Sequence, residues 1–387
     1  MFDNKEGKIF TVVILHYNQN MLWRMAVRSV LNQKYPYIEL VFADDCSKDF
    51  DKREVETFIQ RYAGQNLVNY TVYSNKTNIG TVNNLNKAHQ YCNGQYIIHF
   101  AADDCLYDEE VLNKYAIELD RKQEDVLGIY GRSMKCDRQL NVEEDYILVK
   151  EAQKYNTLTS QQQLAKLLLY CIFPMGATAF NFSELKQFLP FDNQYRLLED
   201  WPFFLNACQQ GKRFCFVDIP VLLYRVGGIS RPDSVHISEA RKQLFSDHLF
   251  LHENYIFNHT KCLSIKEMLQ LLRKYDGDRE YMQKILNNKL LIKRIRLIQK
   301  DIRFARVVWD NLTDEQQMIF GIGIGSVVSL LINCLIVGGL WLNDLKILAA
   351  IDVIFYVIVF TLIYRCYSQD IKIEYEKLKY YLFSPYR

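Results

Sequence analysis

The sequence lacks the patterns of several large protein classes. Its 387 residues carry a formal net charge of only +2, so no strong overall field favours nucleic acid as a partner. Neither the GxGxxG pattern of dinucleotide-binding proteins nor the GxxxxGK[ST] pattern of P-loop enzymes follows the first strand-like run. The ten cysteines show no CxxC pair or zinc-site spacing, so we expect them to be reduced. Acidic residues precede a short apolar stretch at the amino terminus, which does not indicate a secretory signal.

Short apolar runs alternate with amphipathic stretches between residue 9 and about residue 180. The strand-like runs are 9–15, 38–43, 68–73 and 96–100, and the helix-like stretches are 18–31, 55–62 and 82–91. This alternation predicts an α/β domain with a mostly parallel sheet covered by helices on both faces. Ligands of such sheets bind beyond the carboxyl ends of the strands, so polar residues there are the candidates for a site.

Two long apolar runs near the carboxyl end of the sequence predict a transmembrane helical hairpin. Residues 319–342 contain no charged side chain, and residues 347–364 contain only Asp352. The first run, at about 1.5 Å per residue, is long enough to cross a hydrocarbon core of about 30 Å. Basic residues flank the hairpin on both sides, which predicts a cell-membrane protein with two spans and both termini in the cytoplasm.

The sequence therefore predicts four segments. Residues 1–233 form the α/β domain, and residues 234–318 form a helical, basic segment next to the membrane. Residues 319–367 form the hairpin, and residues 368–387 form a cytoplasmic tail.

Polar motifs follow the strand-like runs in order. They include His16, Tyr17 and Asn18 after the first run, Asp44, Asp45, Ser47 and Asp49 after the second, Asn78, Gly80 and Asn84 further on, and Ala102, Asp103 and Asp104 after the fourth. Glu199 and Asp200 precede an amphipathic helix, and a Tyr-Arg-Val-Gly-Gly-Ile-Ser segment covers residues 224–230. Over roughly the first 230 residues this series resembles the family 2 glycosyltransferases of the GT-A fold. That resemblance implies an inverting sugar transferase that uses a nucleotide diphosphate sugar and a divalent cation, Mg²⁺ or Mn²⁺.

The resemblance implies a donor site at the strand ends. Its residues would be His16, Tyr17, Asn18, Asp44, Asp45, Asn78, Asn84, Ala102, Arg225 and Ser230. A carboxylate at a strand end can accept hydrogen bonds from a base N–H or from ribose hydroxyls. We expect Asp44 to contact the nucleotide base. We expect the hydrogen bonds of Asp45 to be shared between the ligand and the cap of the following turn. Arg225 or Arg231 would hold the diphosphate, unless the segment is a plain loop.

The resemblance also implies a metal ligand and a catalytic base. The family's DxD metal motif aligns with Ala101-Ala102-Asp103, so Asp103 would be the ligand, Asp104 would support it from behind, and the first acid is missing. Asp200 would deprotonate the acceptor hydroxyl, with Glu199 orienting the acceptor or Asp200. An N-terminal helix cap is the plainer explanation of Asp200 taken alone.

We expect transfer from a UDP-sugar to a hydroxyl of a lipid-linked saccharide in the synthesis of cell-surface polysaccharide, because the predicted site lies beside the membrane. One alternative keeps the fold and transfers the sugar to polyprenyl phosphate. Another is a non-catalytic membrane scaffold with a decayed sugar-nucleotide fold. The sequence leaves the number of copies open, a homo-oligomer included.

Overall fold

The computed structural model describes residues 7–275, with gaps at residues 20, 138, 146–148, 226–237, 261–262, 265–266, 268–269 and 272–273. The chain divides into two compact units, one made of residues 1–259 and 273–288 and the other of residues 260–272 and 289–387. Every helix and strand given below belongs to the first unit. None of the helices in the described part is long and apolar enough to span a bilayer. The predicted hairpin and tail, and most of the predicted basic segment, lie outside the described residues.

The first half of the domain has the predicted alternation of strands and helices. The elements are β1 Phe10–His16, α1 Trp23–Leu31, β2 Ile38–Asp44, α2 Lys52–Tyr62, β3 Leu67–Ser74, α3 Thr81–Ala88 and β4 Tyr96–Ala101. β1 lies parallel to β2 and β4, and β2 lies parallel to β3. Every residue of β2 is buried, as expected of a central strand covered on both faces. The predicted α/β class is confirmed.

The second half turns the sheet into a mixed one. Its elements are β5 Cys105–Leu106, α4 Val111–Arg121, β6 Val126–Cys136, β7 Val142–Asp145, α5 Val149–Tyr155, α6 Ser160–Leu167, β8 Thr178–Asn181, α7 Phe182–Leu185, α8 Asp200–Gln209, β9 Arg213–Arg225 and α9 Glu239–Asn254. The strand order is β3-β2-β1-β4-β8-β6-β9-β5, and β7 pairs with β6.

The prediction of a mostly parallel sheet needs correction in this half. β8 runs antiparallel to both β4 and β6, whereas β9 runs parallel to β6. The chain reaches β8 from α6 by way of a short turn at Met175–Ala177, which delivers it to the edge where β4 ends. β8 therefore has to run back across the sheet in the opposite direction to β4.

The helices cover the sheet through narrow apolar faces. The buried face of α1 consists of Trp23, Ala26, Val27, Val30 and Leu31. α2 begins at an N-cap in which the Asp51 side chain accepts a hydrogen bond of 2.8 Å from the backbone N–H of Arg53. These faces build one apolar core with the first strands, and that core holds the strand ends rigidly in place.

A buried polar cluster fastens the amino edge of the sheet. The Glu39 carboxylate accepts 2.7 Å hydrogen bonds from the Thr11 hydroxyl and from the backbone N–H of Asn93. A Cβ atom on Gly94 would lie 2.5 Å from the Thr11 hydroxyl oxygen, so the close approach requires glycine there. This cluster fixes the register of β1, β2 and β4, and thereby the positions at which they end on the opposite edge.

Candidate active site

The candidate site lies at the carboxyl edge of the parallel strands. His16 at the end of β1 is opposite Asp44 at the end of β2, and Leu15 is opposite Ala101 at the end of β4. Asp103 follows β4 directly. The sheet register thus brings the predicted strand-end residues to one edge, where parallel α/β sheets bind ligands.

Asp44 is enclosed at this edge and is occupied by protein groups. Its carboxylate shares a hydrogen bond of 2.7 Å with His16 Nδ1, and accepts others from the Ser47 backbone N–H at 3.1 Å and from the Ser74 hydroxyl. Burial alone would raise the pKa of Asp44, but these hydrogen bonds outweigh it and hold the pKa below the usual 3.8. Asp44 is fully buried and has a structural role at this edge, while its contact with the nucleotide base stays a prediction.

The same cluster contains serine, histidine and aspartate without forming a nucleophilic triad. The Ser47 hydroxyl lies 3.2 Å from His16 Nδ1, the same ring nitrogen that contacts Asp44. A triad needs the acid on one ring nitrogen and the hydroxyl on the other. His16 is also buried and supports Asp44 at this edge, while its predicted contact with the donor stays a prediction.

Asp45 organises the loop before α3. Its carboxylate accepts hydrogen bonds from the backbone N–H groups of Ile79 at 2.9 Å and Gly80 at 2.8 Å, and from the Asn75 amide at 2.9 Å. Of the two roles predicted for Asp45, the structure displays the structural one. Gly80 has a φ of 86°, and a Cβ there would lie 2.6 Å from the carbonyl oxygen of Arg196, so the loop requires glycine.

Asn84 is likewise committed to the protein. Its amide nitrogen donates to the Ala43 carbonyl at 3.0 Å, and its side-chain oxygen accepts from the Asn75 amide at 2.9 Å and from the Tyr73 hydroxyl at 3.2 Å. The side chain is buried, and its predicted contact with the donor stays a prediction. Asn84 joins α3 to the end of β2.

Three further predicted donor residues lie at the edge in different settings. The Tyr17 side chain is 42% exposed and is open to a ligand. Asn18 has a φ of 57°, and its side-chain oxygen accepts a hydrogen bond of 2.9 Å from the Lys48 backbone, which ties two loops together. Ala102 is buried and contributes only backbone, its N–H donating to Leu15 at 2.8 Å. The predicted Ser230 lies outside the described residues.

The side chains of Asp103 and Asp104 differ in exposure and in hydrogen-bond partners. Asp103 is partly exposed, and its carboxylate accepts a 2.9 Å hydrogen bond from the Gln19 side-chain amide. Asp104 is buried and accepts a hydrogen bond of 3.0 Å from the backbone N–H of Arg225. Burial raises the pKa of both carboxyls, with the charge of Asp103 adding to the effect on Asp104. Asp104 thus anchors the end of β9 behind Asp103.

Arg225 is folded inward at this edge. It is buried, and its guanidinium donates to the Asp103 carbonyl oxygen and lies 3.2 Å from the Met25 sulfur. In this arrangement Arg225 shapes the loop that carries Asp103. The predicted contact of Arg225 with a diphosphate stays a prediction.

Asp103 is the carboxylate at this edge that could hold a metal ion together with a substrate. Among the described residues, no group of three or more His, Cys, Asp or Glu side chains could hold a metal. Asp103 is a single, partly exposed carboxylate. Mg²⁺ is commonly held by one or two carboxylates together with substrate phosphates and water. The donor set therefore suits an ion bridged to a diphosphate and does not suit a dedicated protein cage.

Glu199 and Asp200 form a second acidic pair at the start of α8. Asp200 accepts a hydrogen bond of 2.7 Å from the backbone N–H of Trp201, and the Cys171 thiol lies 3.7 Å from its other oxygen. Burial and the charge of Asp200 raise the pKa of Glu199 to about 8, and burial raises the pKa of Asp200 as well. Two adjacent carboxyls with raised pKa values suit proton transfer.

Sequence reasoning missed several residues that build this edge. Gln19 contacts Asp103, and the Arg196 guanidinium donates to the Asn78 backbone carbonyl at 2.9 Å and to its side-chain oxygen. Asp247 on α9 accepts hydrogen bonds from the backbone just before Glu199. Gln19 follows the Tyr-Asn motif directly, so its position was a usable signal. Arg196 and Asp247 carry no pattern of their own.

Comparison with known proteins gives a family match in the first half of the chain. The family model described as Glycosyl transferase family 2 matches residues 11–185, a little less than half of the 387 residues. No curated protein matches the chain. Among solved structures, residues 1–349 of S. aureus TarS are 16% identical, with a TM-score of 0.46 over 77% of this chain and 88% of that one.

A mannosyltransferase, PcManGT from Pyrobaculum calidifontis, is also 16% identical, with a TM-score of 0.45 over 79% of this chain and 87% of that one. Structural likenesses at this level carry no argument about the present protein. The family match ends before Glu199 and contains β1 to β8 with their helices. The family resemblance of this chain therefore rests on residues 11–185, which match the glycosyl transferase family 2 model.

Proposed function

We propose that the protein is an inverting glycosyltransferase that uses a nucleotide diphosphate sugar, in keeping with a UDP-sugar as donor. The observation that carries the proposal is the Glu199–Asp200 pair, two adjacent carboxyls whose pKa values are raised by burial, in a chain whose residues 11–185 match the family 2 model. Raised carboxyl pKa values beside a ligand-binding edge are typical of acid–base chemistry.

Asp200 acts as the base in this proposal. It takes the proton of the acceptor hydroxyl while the hydroxyl oxygen forms a bond to C1 of the sugar. The bond from C1 to the diphosphate oxygen breaks on the opposite face, and its electron pair leaves with the nucleotide. Inversion at C1 follows because attack and departure take place on opposite faces. The raised pKa of Asp200 makes it a stronger base than an ordinary aspartate.

Glu199 supports this step as a neutral carboxylic acid. Its pKa of about 8 keeps it largely protonated at pH 7, so it adds no second negative charge beside Asp200. A protonated carboxyl can also donate a hydrogen bond to an acceptor oxygen. The division of roles between two neighbouring carboxyls follows from their surroundings.

Asp103 would hold Mg²⁺ or Mn²⁺ together with the diphosphate of the donor. Such an ion compensates the charge that develops on the departing nucleotide. The chain itself orients Asp103 through Gln19 and fixes its loop through Arg225. Tyr17, which is exposed at the end of β1, offers an aromatic face to the base of the nucleotide.

The acceptor we propose is a lipid-linked saccharide used in the synthesis of cell-surface polysaccharide. The support for it is the sequence alone: the two apolar runs at 319–342 and 347–364, with basic residues before and after them. Such a hairpin would hold the catalytic domain on the cytoplasmic face of the cell membrane, within reach of the head group of a lipid carrier.

The test begins with the full-length chain in detergent or membranes. It is incubated with UDP- and GDP-sugars and Mg²⁺ or Mn²⁺, and both nucleotide release and sugar addition to extracted membrane lipids are measured by mass spectrometry. We expect release with at least one donor and a lipid product of inverted configuration. Nucleotide release equal to that of an Asp200→Asn variant with every donor would overturn the proposal and favour a non-catalytic scaffold.

A further inference from the structure

One oxygen of Asp247 gathers three consecutive backbone N–H groups. Asp247 is on α9 and is 4% exposed. Its Oδ2 atom accepts hydrogen bonds from the backbone N–H groups of Arg196 at 2.9 Å, Leu197 at 2.6 Å and Leu198 at 3.2 Å. Its other oxygen accepts 2.9 Å from the Gln243 side chain. A carboxylate that accepts several N–H groups in this way holds a backbone segment in one shape.

The segment held by Asp247 runs directly into the catalytic pair. Leu198 precedes Glu199, and α8 begins at Asp200. α9 also flanks the segment with aromatic contacts, Tyr195 lying against Phe250 at 5.5 Å and Trp201 against His252 at 5.4 Å between ring centroids. The backbone before the pair is therefore fixed by α9 from both ends.

The same segment reaches the donor side of the edge. The Arg196 guanidinium donates to the Asn78 carbonyl, and the Arg196 carbonyl accepts a hydrogen bond of 3.2 Å from the backbone N–H of Val82. Gly80 lies against Arg196 closely enough to exclude a Cβ. The position of the 196–198 backbone thus relates the loop before α3 to the start of α8.

We propose that Asp247 is a positioning residue, which sets the distance and direction of Asp200 relative to the donor by holding the 196–198 backbone. The proposal rests on the function proposed above and adds to it a residue beyond the stretch that matches the family. Only Glu199 lies between the held residue Leu198 and Asp200, so loss of the hold moves the base. Misplacement of a reacting group by about 1 Å costs on the order of 100-fold in rate.

A graded pair of variants separates positioning from folding. Asp247→Ala removes all acceptors, whereas Asp247→Asn keeps the shape and one acceptor oxygen. We expect the turnover number for nucleotide release to fall about 100-fold in the first and about 10-fold in the second. The dissociation constant for UDP or GDP, measured by calorimetry with Mn²⁺, should stay within about threefold, since the donor groups at the strand ends are untouched.

The matched control is Asp192→Asn. Asp192 is an exposed acid in the same loop, and it accepts a single backbone hydrogen bond of 3.0 Å from Gln194. The control should keep the turnover number within about twofold. Amide hydrogen exchange of residues 196–198 is followed in all four proteins, and protection should be lost only in the Asp247 variants.

The outcomes divide cleanly. A folded Asp247→Ala protein with exposed 196–198 amides and a normal turnover number would overturn the positioning role. Loss of nucleotide binding in parallel with turnover, or unchanged exchange protection, would overturn it as well. A wild-type chain that releases no nucleotide from any donor, with the same amides protected, would instead remove the proposed function on which the inference rests.

Discussion

Two acidic pairs of this domain have the same kind of side chains and opposite surroundings. The Asp44–Asp45 pair accepts hydrogen bonds from His16, Ser47, Ser74, Asn75, Ile79 and Gly80, and the pKa of Asp44 is lowered. In the Glu199–Asp200 pair, Asp200 accepts a hydrogen bond from the backbone N–H of Trp201 and a long contact from the Cys171 thiol, and burial raises the pKa of both carboxyls.

The comparison shows that neighbouring donors decide what a buried carboxyl does. A carboxylate with all its acceptor positions filled is stable, weakly basic and useful as a fastening. A carboxyl short of donors is costly to ionise and is a good base. Asp103 and Asp104 stand between these cases, because Asp104 fastens Arg225 while Asp103 remains partly exposed.

Among these variants Asp200→Asn should lower the rate of sugar transfer most, because it removes the base and keeps the size of the side chain. We expect transfer to fall about 1000-fold, equivalent to about 4 kcal/mol in the activation barrier. Binding of the nucleotide should remain near that of wild type by calorimetry. If binding disappears together with transfer, Asp200 is a structural cap like Asp51.

Asp103→Ala tests the Asp103–Asp104 pair and should have the next largest effect on the rate of transfer. We expect about a 100-fold loss of transfer, or about 2.7 kcal/mol, because charge on the leaving diphosphate is then uncompensated. Wild-type transfer should also stop in excess EDTA. Glu109→Ala, an exposed acid a few residues on, serves as the control. Full activity of Asp103→Ala, or of wild type in EDTA, would contradict the metal assignment.

Asp44→Asn should change stability where Asp200→Asn changes rate. Loss of the charge that accepts from His16, Ser47 and Ser74 should lower the free energy of unfolding by about 2 kcal/mol at pH 7. A lowered carboxyl pKa stabilises the fold above the ordinary value of 3.8, and that contribution disappears as the pH falls through the folded pKa.

The difference in unfolding free energy between Asp44→Asn and wild type should therefore shrink below about pH 3.8, as measured by chemical denaturation. Asp49→Asn, an exposed acid in the same loop, should match wild type throughout. Equal stability of Asp44→Asn and Asp49→Asn at pH 7 would mean that the hydrogen bonds of Asp44 contribute little.

Glu199→Gln should have the smallest effect on the rate of transfer, and it tests whether Glu199 is protonated in the fold. Glutamine resembles the protonated acid that the raised pKa predicts, so transfer at pH 7 should fall only about threefold. The carboxyl pKa rises from 4.5 to about 8 on folding, so Glu199 favours the fold at low pH and progressively less as the pH rises through that window.

The Glu199→Gln variant does not lose stability in this way, because the glutamine side chain does not ionise. At pH 8 it should therefore melt about 2–4 °C above wild type, which corresponds to about 1 kcal/mol for a domain of this size. At pH 4.5 the two proteins should melt together. A variant that is less stable than wild type at pH 8 would show that Glu199 is ionised and well paired in the fold.

The sequence predicts the first half of the fold well because its signals are local. The apolar runs 9–15, 38–43 and 96–100 became β1, β2 and β4, since a continuous apolar run between helices suits a strand covered on both faces. The antiparallel β8 was not foreseen, because its direction depends on how the chain travels around α6. That path is a tertiary property and leaves no mark on the four residues of the strand.

The sequence predicts where the site lies, while the donor-binding and catalytic roles of its individual residues stay predictions. The strand-end residues meet at one edge, as the parallel register requires. Asp44, Asp45 and Asn84 nevertheless face protein donors, because their partners at Ser74, Asn75 and Ile79 come from a later part of the chain. Asp247 could not be found, since a single acid on a helix resembles any other until the backbone it holds is known.

The short strand β5 pairs with β9, and this has a consequence for the order in which the domain is assembled. Leu106 is opposite Leu222, and Asp104 meets Arg225 from 121 positions along the chain. Contacts between such distant segments close late, because a long loop must lose its freedom before they form. The loop that carries Asp103 therefore lies early in the sequence, but its contact with Arg225 forms only after a much later segment has folded back to it. Because β9 is synthesised after β1 to β4, we expect this loop to reach its working shape after those strands have paired.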